Sequence, residues 1–312
     1  MQTIKLTYPH TIPTDELPET VAAIGFFDGI HKGHQQVIQA AIAEAKARQM
    51  QSAVITFHPH PSVVLRKDVQ HVKYITPLQE KQEILQRLGV DRLYIITFDK
   101  TLSSLEPQTF IDEFIIAMNI KHLVSGFDFS YGYKGRGNVH TIQDHSRGLF
   151  TFTAIDEVKM DNEKISSTRI RELLKSGQVD KANTLLGRPL TVRGIVKEGD
   201  KRGRTIGYPT ANLDVSTDAL LPRVGVYAVK VLYKNEVYKA MASLGYNPTF
   251  TADRKEPIIE VNIFDFNNDL YGESLILEWH KFIRDEEKFN SADELVKKIE
   301  DDESRIRDFF HH

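Results

Sequence analysis

Residues Val21–Gln36 read VAAIGFFDGIHKGHQQ, a pattern that few folds accommodate. An apolar run from Val21 to Ile24 ends in Gly25-Phe26-Phe27-Asp28-Gly29. The chain then passes through His31-Lys32-Gly33-His34 into a segment with apolar residues at Val37, Ile38, Ala41, Ile42 and Ala45. That spacing marks one face of a helix, so the stretch predicts strand, tight turn, helix. Glycines in the turn let the backbone bend sharply, and the helix start offers unpaired N–H groups to an anion. His31 and His34, three residues apart, can donate hydrogen bonds to phosphate oxygens. On these residues alone two readings stand: a nucleotide triphosphate site, or an ordinary glycine-rich turn with surface histidines.

Composition narrows the classes. A chain of 312 residues predicts two domains. With 41% hydrophobic residues it is an ordinary globular sequence. A net charge of -3 argues against a dedicated nucleic-acid binder. Having no cysteines, it excludes disulfides, cysteine metal sites and thiol nucleophiles. No apolar run approaches membrane-spanning length and MQTIKLTYPH lacks a signal-peptide pattern, so a cytoplasmic protein without membrane association is expected.

After the first helix, strands are expected at 52–57, 92–98, 122–125 and 150–155, with helices over 78–88 and 107–118. Thr76 is the expected N-cap of the first of these, Pro77 its first residue and Gly89 its stop. Strands alternating with helices predict an α/β domain with a Rossmann-like parallel sheet, whose ligand crevice lies beyond the carboxyl ends of the strands. Three suspicious segments follow strands in this way: GFFDGIHKGH, TFHPHP (56–61) and GFDFSYG (126–132). His58 and His60 fit either part of a metal site or a rigid, proline-rich wall. The 126–137 segment fits either a surface loop or an aromatic wall for a flat ligand. In KISSTRIRELLK (164–175), Ser166 or Ser167 can cap a helix. Arg169 and Arg171 lie in its first turn, where the helix dipole gives cations no advantage, so an anion is expected there.

Beyond Leu185-Leu186-Gly187-Arg188-Pro189 the pattern changes to short β-branched runs at 190–196, 224–233, 237–243, 258–264 and 274–279, followed by an amphipathic helix over 289–310. An antiparallel β-barrel with a terminal helix is expected, giving domains of residues 1–184 and 185–312. Glycines at 199, 203 and 207 with Lys201, Arg202 and Arg204 form a basic loop. It fits either a phosphate-covering segment or a charged hairpin, and it lacks the GK[ST] of a Walker A motif.

Several of these segments resemble known families. GFFDGIHKGH resembles the G-x-F-D-x-x-H-x-G-H signature of the nucleotidylyltransferases. The resemblance implies that His31 and His34 contact ATP phosphates, that Asp28 helps position them, and that Gly25, Phe26 and Gly33 line the ATP site. ISSTRIR resembles the second signature of that superfamily, which implies phosphate contacts for Ser167, Thr168 and Arg171. GYPTANL, PRVGVYAV, LGYNPTF, EVNIFDFNNDLYG and FIRDEEKF resemble successive segments of riboflavin kinases. That resemblance implies that Gly199, Lys201, Gly203 and Gly207 close over ATP. Thr210 and Asn212 would hold ATP-Mg²⁺, and Glu260 would be the catalytic base. Ser243 departs from the family, which more often has Asn there. Together the signatures resemble the bacterial bifunctional riboflavin kinase/FAD synthetases. This implies a C-terminal domain making FMN from riboflavin and ATP, and an N-terminal domain making FAD and pyrophosphate from FMN and ATP. It also implies a flavin pocket at Phe57, Pro59, Pro61, Asp128 and Tyr131. The rivals are one retained activity, a different phosphate acceptor, and a flavin-sensing regulator without turnover.

Overall fold

The computed structural model describes residues 1–10, 16–198, 207–246 and 257–311. The chain divides into two compact units, Met1–Ser167 and Thr168–His312.

The first unit is built on six parallel strands: β1 (Gln2–Leu6), β2 (Thr20–Ile24), β3 (Gln51–His58), β4 (Arg92–Thr97), β5 (Ile120–Gly126) and β6 (Thr151–Ile155). Their order across the sheet is β1-β4-β3-β2-β5-β6. Every residue of β2 is buried, because helices cover both faces of a parallel sheet. Its alternating side chains serve two cores. Ala22 and Ile24 join Ile55, Tyr94 and Phe114 on one face. Val21 and Ala23 join Val54, Leu93 and two helices, α1 (Lys32–Ala47) and α2 (Leu78–Arg87), on the other. From β2 the chain steps to β3 and β4 on one side, then returns to place β5 on the other side of β2. The carboxyl ends of β2 and β5 therefore mark the switch point at which open α/β sheets bind ligands.

Three details differ from expectation. β1 was not expected; only its last residue, Leu6, is fully buried, so it carries little hydrophobic signal. The cap of α2 falls on Pro77 without a side-chain cap bond, because Thr76 is drawn inward and its N–H donates to Asp28 Oδ1 at 3.2 Å. The helix expected over 107–118 is α-helical only over Pro107–Ile111. It then widens into a π turn over Asp112–Ile116, closed by Ala117 N–H donating to the Asp112 carbonyl at 2.8 Å.

The second unit is a closed antiparallel barrel preceded by two helices, α3 (Ser167–Lys175, its first residue belonging to the first unit) and α4 (Val179–Leu186). Its strands are β7 (Leu190–Lys197), β8 (Ala211–Val215), β9 (Gly225–Tyr233), β10 (Glu236–Gly245), β11 (Ile258–Ile263) and β12 (Ser274–Arg284), closing in the order β7-β8-β11-β10-β9-β12. β8 was not expected as a strand, and only Leu213 within it is buried. Trp279, Tyr227, Leu275 and Leu277 are fully buried. Asn183 pins α4 to the barrel: its amide donates to the Trp279 carbonyl at 2.7 Å and its oxygen accepts from Leu190 N–H at 2.8 Å. The terminal helix α5 (Ala292–His311) is held by buried Ile306 and by an ion pair from Arg284 to fully buried Asp302 at 2.8 Å.

Candidate active site

In the first unit the strand–turn–helix comes out of the sequence as expected. Gly25 N–H still reaches across to the Ile55 carbonyl at 3.1 Å, after which the backbone turns sharply. Phe27, Gly29 and Ile30 all have positive φ, at 51°, 85° and 39°. For bulky Phe27 and Ile30 that conformation is strained and must be held by the surroundings. His31 then caps α1: its ring Nδ1 accepts the His34 N–H at 3.2 Å. In neutral His31 this bond places the ring proton on Nε2, which is left to donate. The two imidazoles stack at 3.6 Å between centroids, 19° from parallel. A side chain at Gly33 would meet the His31 ring at 3.2 Å, so glycine there is what lets the ring lie against the helix start.

Burial sets the electrostatics. It pulls the His31 imidazole down to about 4, with Lys164 adding to the effect. His34 is held well below the usual value, again chiefly by burial, with His31, Lys81 and Lys164 contributing. Both rings are neutral at pH 7 in the free protein. His34 Nδ1 is buried and has no hydrogen-bond partner among the described residues. His31, Gly33 and His34 line a cleft with Gly126, Phe127 and Asp128 from the end of β5, and with Lys164, Ser166 and Ser167. Ser167 Oγ donates to the Asp28 carbonyl at 2.9 Å, which joins the ISSTR segment to the GFFDG turn. Asp128 pairs with Lys164 at 2.7 Å, and that ammonium lies 4.5 Å over the Phe127 ring. Thr168 and Arg171 belong to the second unit.

The remaining candidates of this unit follow β3 and β5. Phe57 packs on Phe98 and Phe110 at the rim of one core. Pro59 follows a cis peptide bond, and Pro61 opens a short helix capped by His60, whose Nδ1 bonds to Ser62. Tyr131 is buried, stacks near Phe129 and shares a 2.6 Å hydrogen bond with His145. Of these five flavin candidates, only Asp128 lines the histidine cleft.

Sequence reasoning passed over Lys81. Its side chain is buried, and Nζ donates to the Phe26 carbonyl at 2.7 Å and lies 3.4 Å from Thr56 Oγ1. A signal was present: position 81 shares a helical face with Leu78, Ile84, Leu85 and Leu88, where a lysine is out of place.

In the second unit the candidates lie on strands. Asn212 of β8 sits opposite Glu260 of β11, and Glu260 opposite Ser243 of β10. Residues directly opposite one another project to the same face, so the three form a polar row across three strands. Their neighbours Leu213, Ile259, Ala242 and Leu244 are buried in the barrel. Ser243 thus stands next to the candidate base. Thr210 lines a separate pocket with Val196, Val261 and Asp269. Gly207 has a φ of 86°. Gly199, Lys201 and Gly203 lie outside the described residues.

Comparison with known proteins follows the same division. A family model described as FAD synthetase matches residues 14–169, and one described as riboflavin kinase matches residues 186–310. The chain is 45% identical over 311 residues to the bifunctional riboflavin kinase/FMN adenylyltransferase of Bacillus subtilis, covering 99% of this chain and 98% of that one. It is 46% identical over 312 residues to the protein of the same name from Listeria monocytogenes, with the same coverage. A solved Streptococcus pneumoniae structure, named a macrolide-efflux protein, superposes with a TM-score of 0.89 at 38% identity, over 98% of this chain and 99% of that one. With both halves matched in order and relatives aligned end to end, the chain belongs to the bifunctional riboflavin kinase/FMN adenylyltransferase family.

Proposed function

We propose that the histidine cleft of the first unit carries adenylyl transfer and the barrel of the second carries riboflavin phosphorylation, the two activities of this bifunctional flavin-biosynthesis enzyme. The functional division is drawn at residues 1–184 and 185–312, with the matched segments 14–169 and 186–310 on either side. The observation that carries the reading is the His31–His34 pair at the start of α1, at the point where the strand order reverses.

In adenylyl transfer an FMN phosphate oxygen attacks the α-phosphorus of ATP. The bond from that phosphorus to the bridging oxygen breaks, and pyrophosphate leaves with the electron pair. Charge grows on the β,γ-phosphates, where His31 Nε2–H, the α1 N-terminus and His34 donate. Asp28 orders the turn, and Gly25, Phe26 and Gly33 line the nucleotide. Ser167, bonded to the Asp28 carbonyl, supplies a further phosphate contact. Phe57, Pro59, Pro61, Asp128 and Tyr131 form the flavin side.

In the kinase reaction the ribityl 5′-hydroxyl attacks the γ-phosphorus, Glu260 accepts its proton, and ADP leaves. Of the glycine-rich loop, Gly207 is the described residue that borders the phosphates. No group of three or more His, Cys, Asp or Glu among the described residues is arranged to hold a metal ion. Thr210 and Asn212 nevertheless present hard oxygen donors, which suit Mg²⁺ shared with substrate phosphates. Bound there with ATP, Mg²⁺ supplies charge neutralisation. Among the described residues no helix is long and apolar enough to cross a membrane, and no observation favours the efflux named for the Streptococcus protein.

The test is chromatography of flavins after incubating the pure protein with riboflavin, ATP and Mg²⁺, under air and under dithionite. FMN followed by FAD is the expected result. FMN alone in both conditions would leave a kinase with a silent first unit, and flavin binding without any phosphorylation would leave a regulator.

A further inference from the structure

The turn that presents His31 carries strain, and something must hold it. Phe27 and Ile30 sit at positive φ, a conformation that bulky side chains rarely adopt. Immediately before them, the Phe26 carbonyl accepts two side-chain bonds from beneath the turn. One comes from Lys81 Nζ at 2.7 Å and the other from Thr56 Oγ1 at 2.9 Å. Thr56 is fully buried in β3 and Lys81 is 3% exposed on α2. The ammonium also lies 4.8 Å over the Phe26 ring, so it fixes the side chain as well as the carbonyl. A leucine or methionine at this position would pack the face at no desolvation cost. A lysine buried there instead has only the turn to serve. The same segment touches the turn a second time, where Thr76 N–H donates to Asp28 Oδ1.

We propose that Lys81 and Thr56 form a clamp on the Phe26 carbonyl that holds the strained phosphate-binding turn in its reactive shape. Lys81 is thus a positioning residue for adenylyl transfer. The clamp touches no substrate. It sets the direction of the Phe27–Ile30 backbone, and through it the placement of the His31 ring and the α1 N–H groups against the triphosphate. Its buried cation adds positive potential beneath the turn. Misplacement of such groups by a fraction of an ångström lowers the rate of the chemical step more than it weakens substrate binding. This rests on assigning adenylyl transfer to the histidine cleft, and the experiment separates the two.

The full-length chain is assayed for FAD formation from FMN at varied ATP, and for riboflavin phosphorylation in the same preparation, as Lys81→Met, Lys81→Arg, Thr56→Val and His34→Ala. Lys81→Met is expected to lower kcat for FAD formation at least about tenfold with ATP KM within about threefold of the parent. Riboflavin phosphorylation stays at the parent level. Lys81→Arg keeps the charge and the donors on a larger group, so it is expected to recover part of the lost kcat. Thr56→Val removes one hydroxyl from a strand that favours valine, so it folds; it is expected to lower the same kcat by roughly threefold. An unchanged kcat in both Lys81→Met and Thr56→Val overturns the clamp, as does a rise in ATP KM alone. If Lys81→Met fails to fold, Thr56→Val decides the matter by itself. Full FAD formation by His34→Ala would overturn the site assignment and the clamp with it, whereas loss in His34→Ala with parent kcat in Lys81→Met and Thr56→Val overturns the clamp only.

Discussion

Among the described residues Lys81 of the first unit and Asp302 of the second are both deeply buried charges, and the two are answered differently. In the second unit Asp302 is fully buried on α5 and faces the Arg284 guanidinium at 2.8 Å, charge against charge. In the first unit Lys81 donates to two neutral oxygens, the Phe26 carbonyl and the Thr56 hydroxyl, with the Asp28 charge acting alongside. Burial pushes the Asp302 carboxyl up and pulls the Lys81 ammonium down to about 8, so neither charge is free of cost. A buried ion pair fastens one element to another: here α5 to β12. A buried cation aimed at a backbone carbonyl in a strained turn stores its field beside the chemistry. The candidate sites differ in the same sense. The first unit gathers its groups into one turn at the end of a parallel sheet. The second spreads them over three strands by register, as Asn212, Glu260 and Ser243.

That contrast can be broken at several points. The largest effect is expected from Glu260→Gln, which removes the base from the polar row and lowers riboflavin phosphorylation by about 10³-fold, while FAD formation from supplied FMN stays at the parent level. A retained kinase rate would show that the row is only structural. Next comes Asp302→Ala, which leaves Arg284 unpaired against the barrel and costs the second unit about 3–4 kcal/mol. Trp279, the sole tryptophan, is buried in that unit and reports its denaturant midpoint directly; an unmoved midpoint would mean the pair is spent on something other than stability.

Acid sharpens the first half of the comparison. His31 is depressed to about 4 against 6.5 for the unfolded chain, and His34 moves in the same direction. Between those values the unfolded state binds protons that the folded state refuses. The contribution is therefore intact above pH 6.5 and lost as pH falls toward 4, by roughly 3 kcal/mol for His31 alone. Calorimetry should show a transition of the first unit, silent to Trp279 fluorescence, whose midpoint drops as pH is lowered from 7 to 5. The smallest effect is expected from His34→Ala, a loss of about 10²-fold in FAD formation with riboflavin phosphorylation unchanged.

What the sequence made legible follows from how local each signal is. The GFFDGIHKGH turn was readable because its glycines, histidines and flanking apolar runs lie within twenty-five residues, Val21 to Ala45, and need no partner to be interpreted. The strands β3, β4 and β5 were readable for the same reason, as compact buried runs. Two strands were not. β1 buries only Leu6 and β8 only Leu213, so both exist by pairing with neighbours rather than by their own pattern. Lys81 was missed because a charged residue between Glu80 and Gln82 reads as solvated surface, although its helical phase pointed inward. Tyr131, read as part of a possible aromatic wall, is buried among Phe110 and Phe129 with its hydroxyl spent on His145.

The neutrality of the stacked histidine pair has a consequence for which anions the first unit retains. A site built on standing positive charge attracts any passing anion, and in a cell rich in chloride and inorganic phosphate it would be occupied most of the time. A pair of uncharged imidazoles at a helix start offers direction instead of net charge, so a small ion meeting one donor gains little. A polyphosphate that spans both rings and the α1 N–H groups gains from all of them together. A chain of phosphates would then be favoured over a single one by the number of donors it meets.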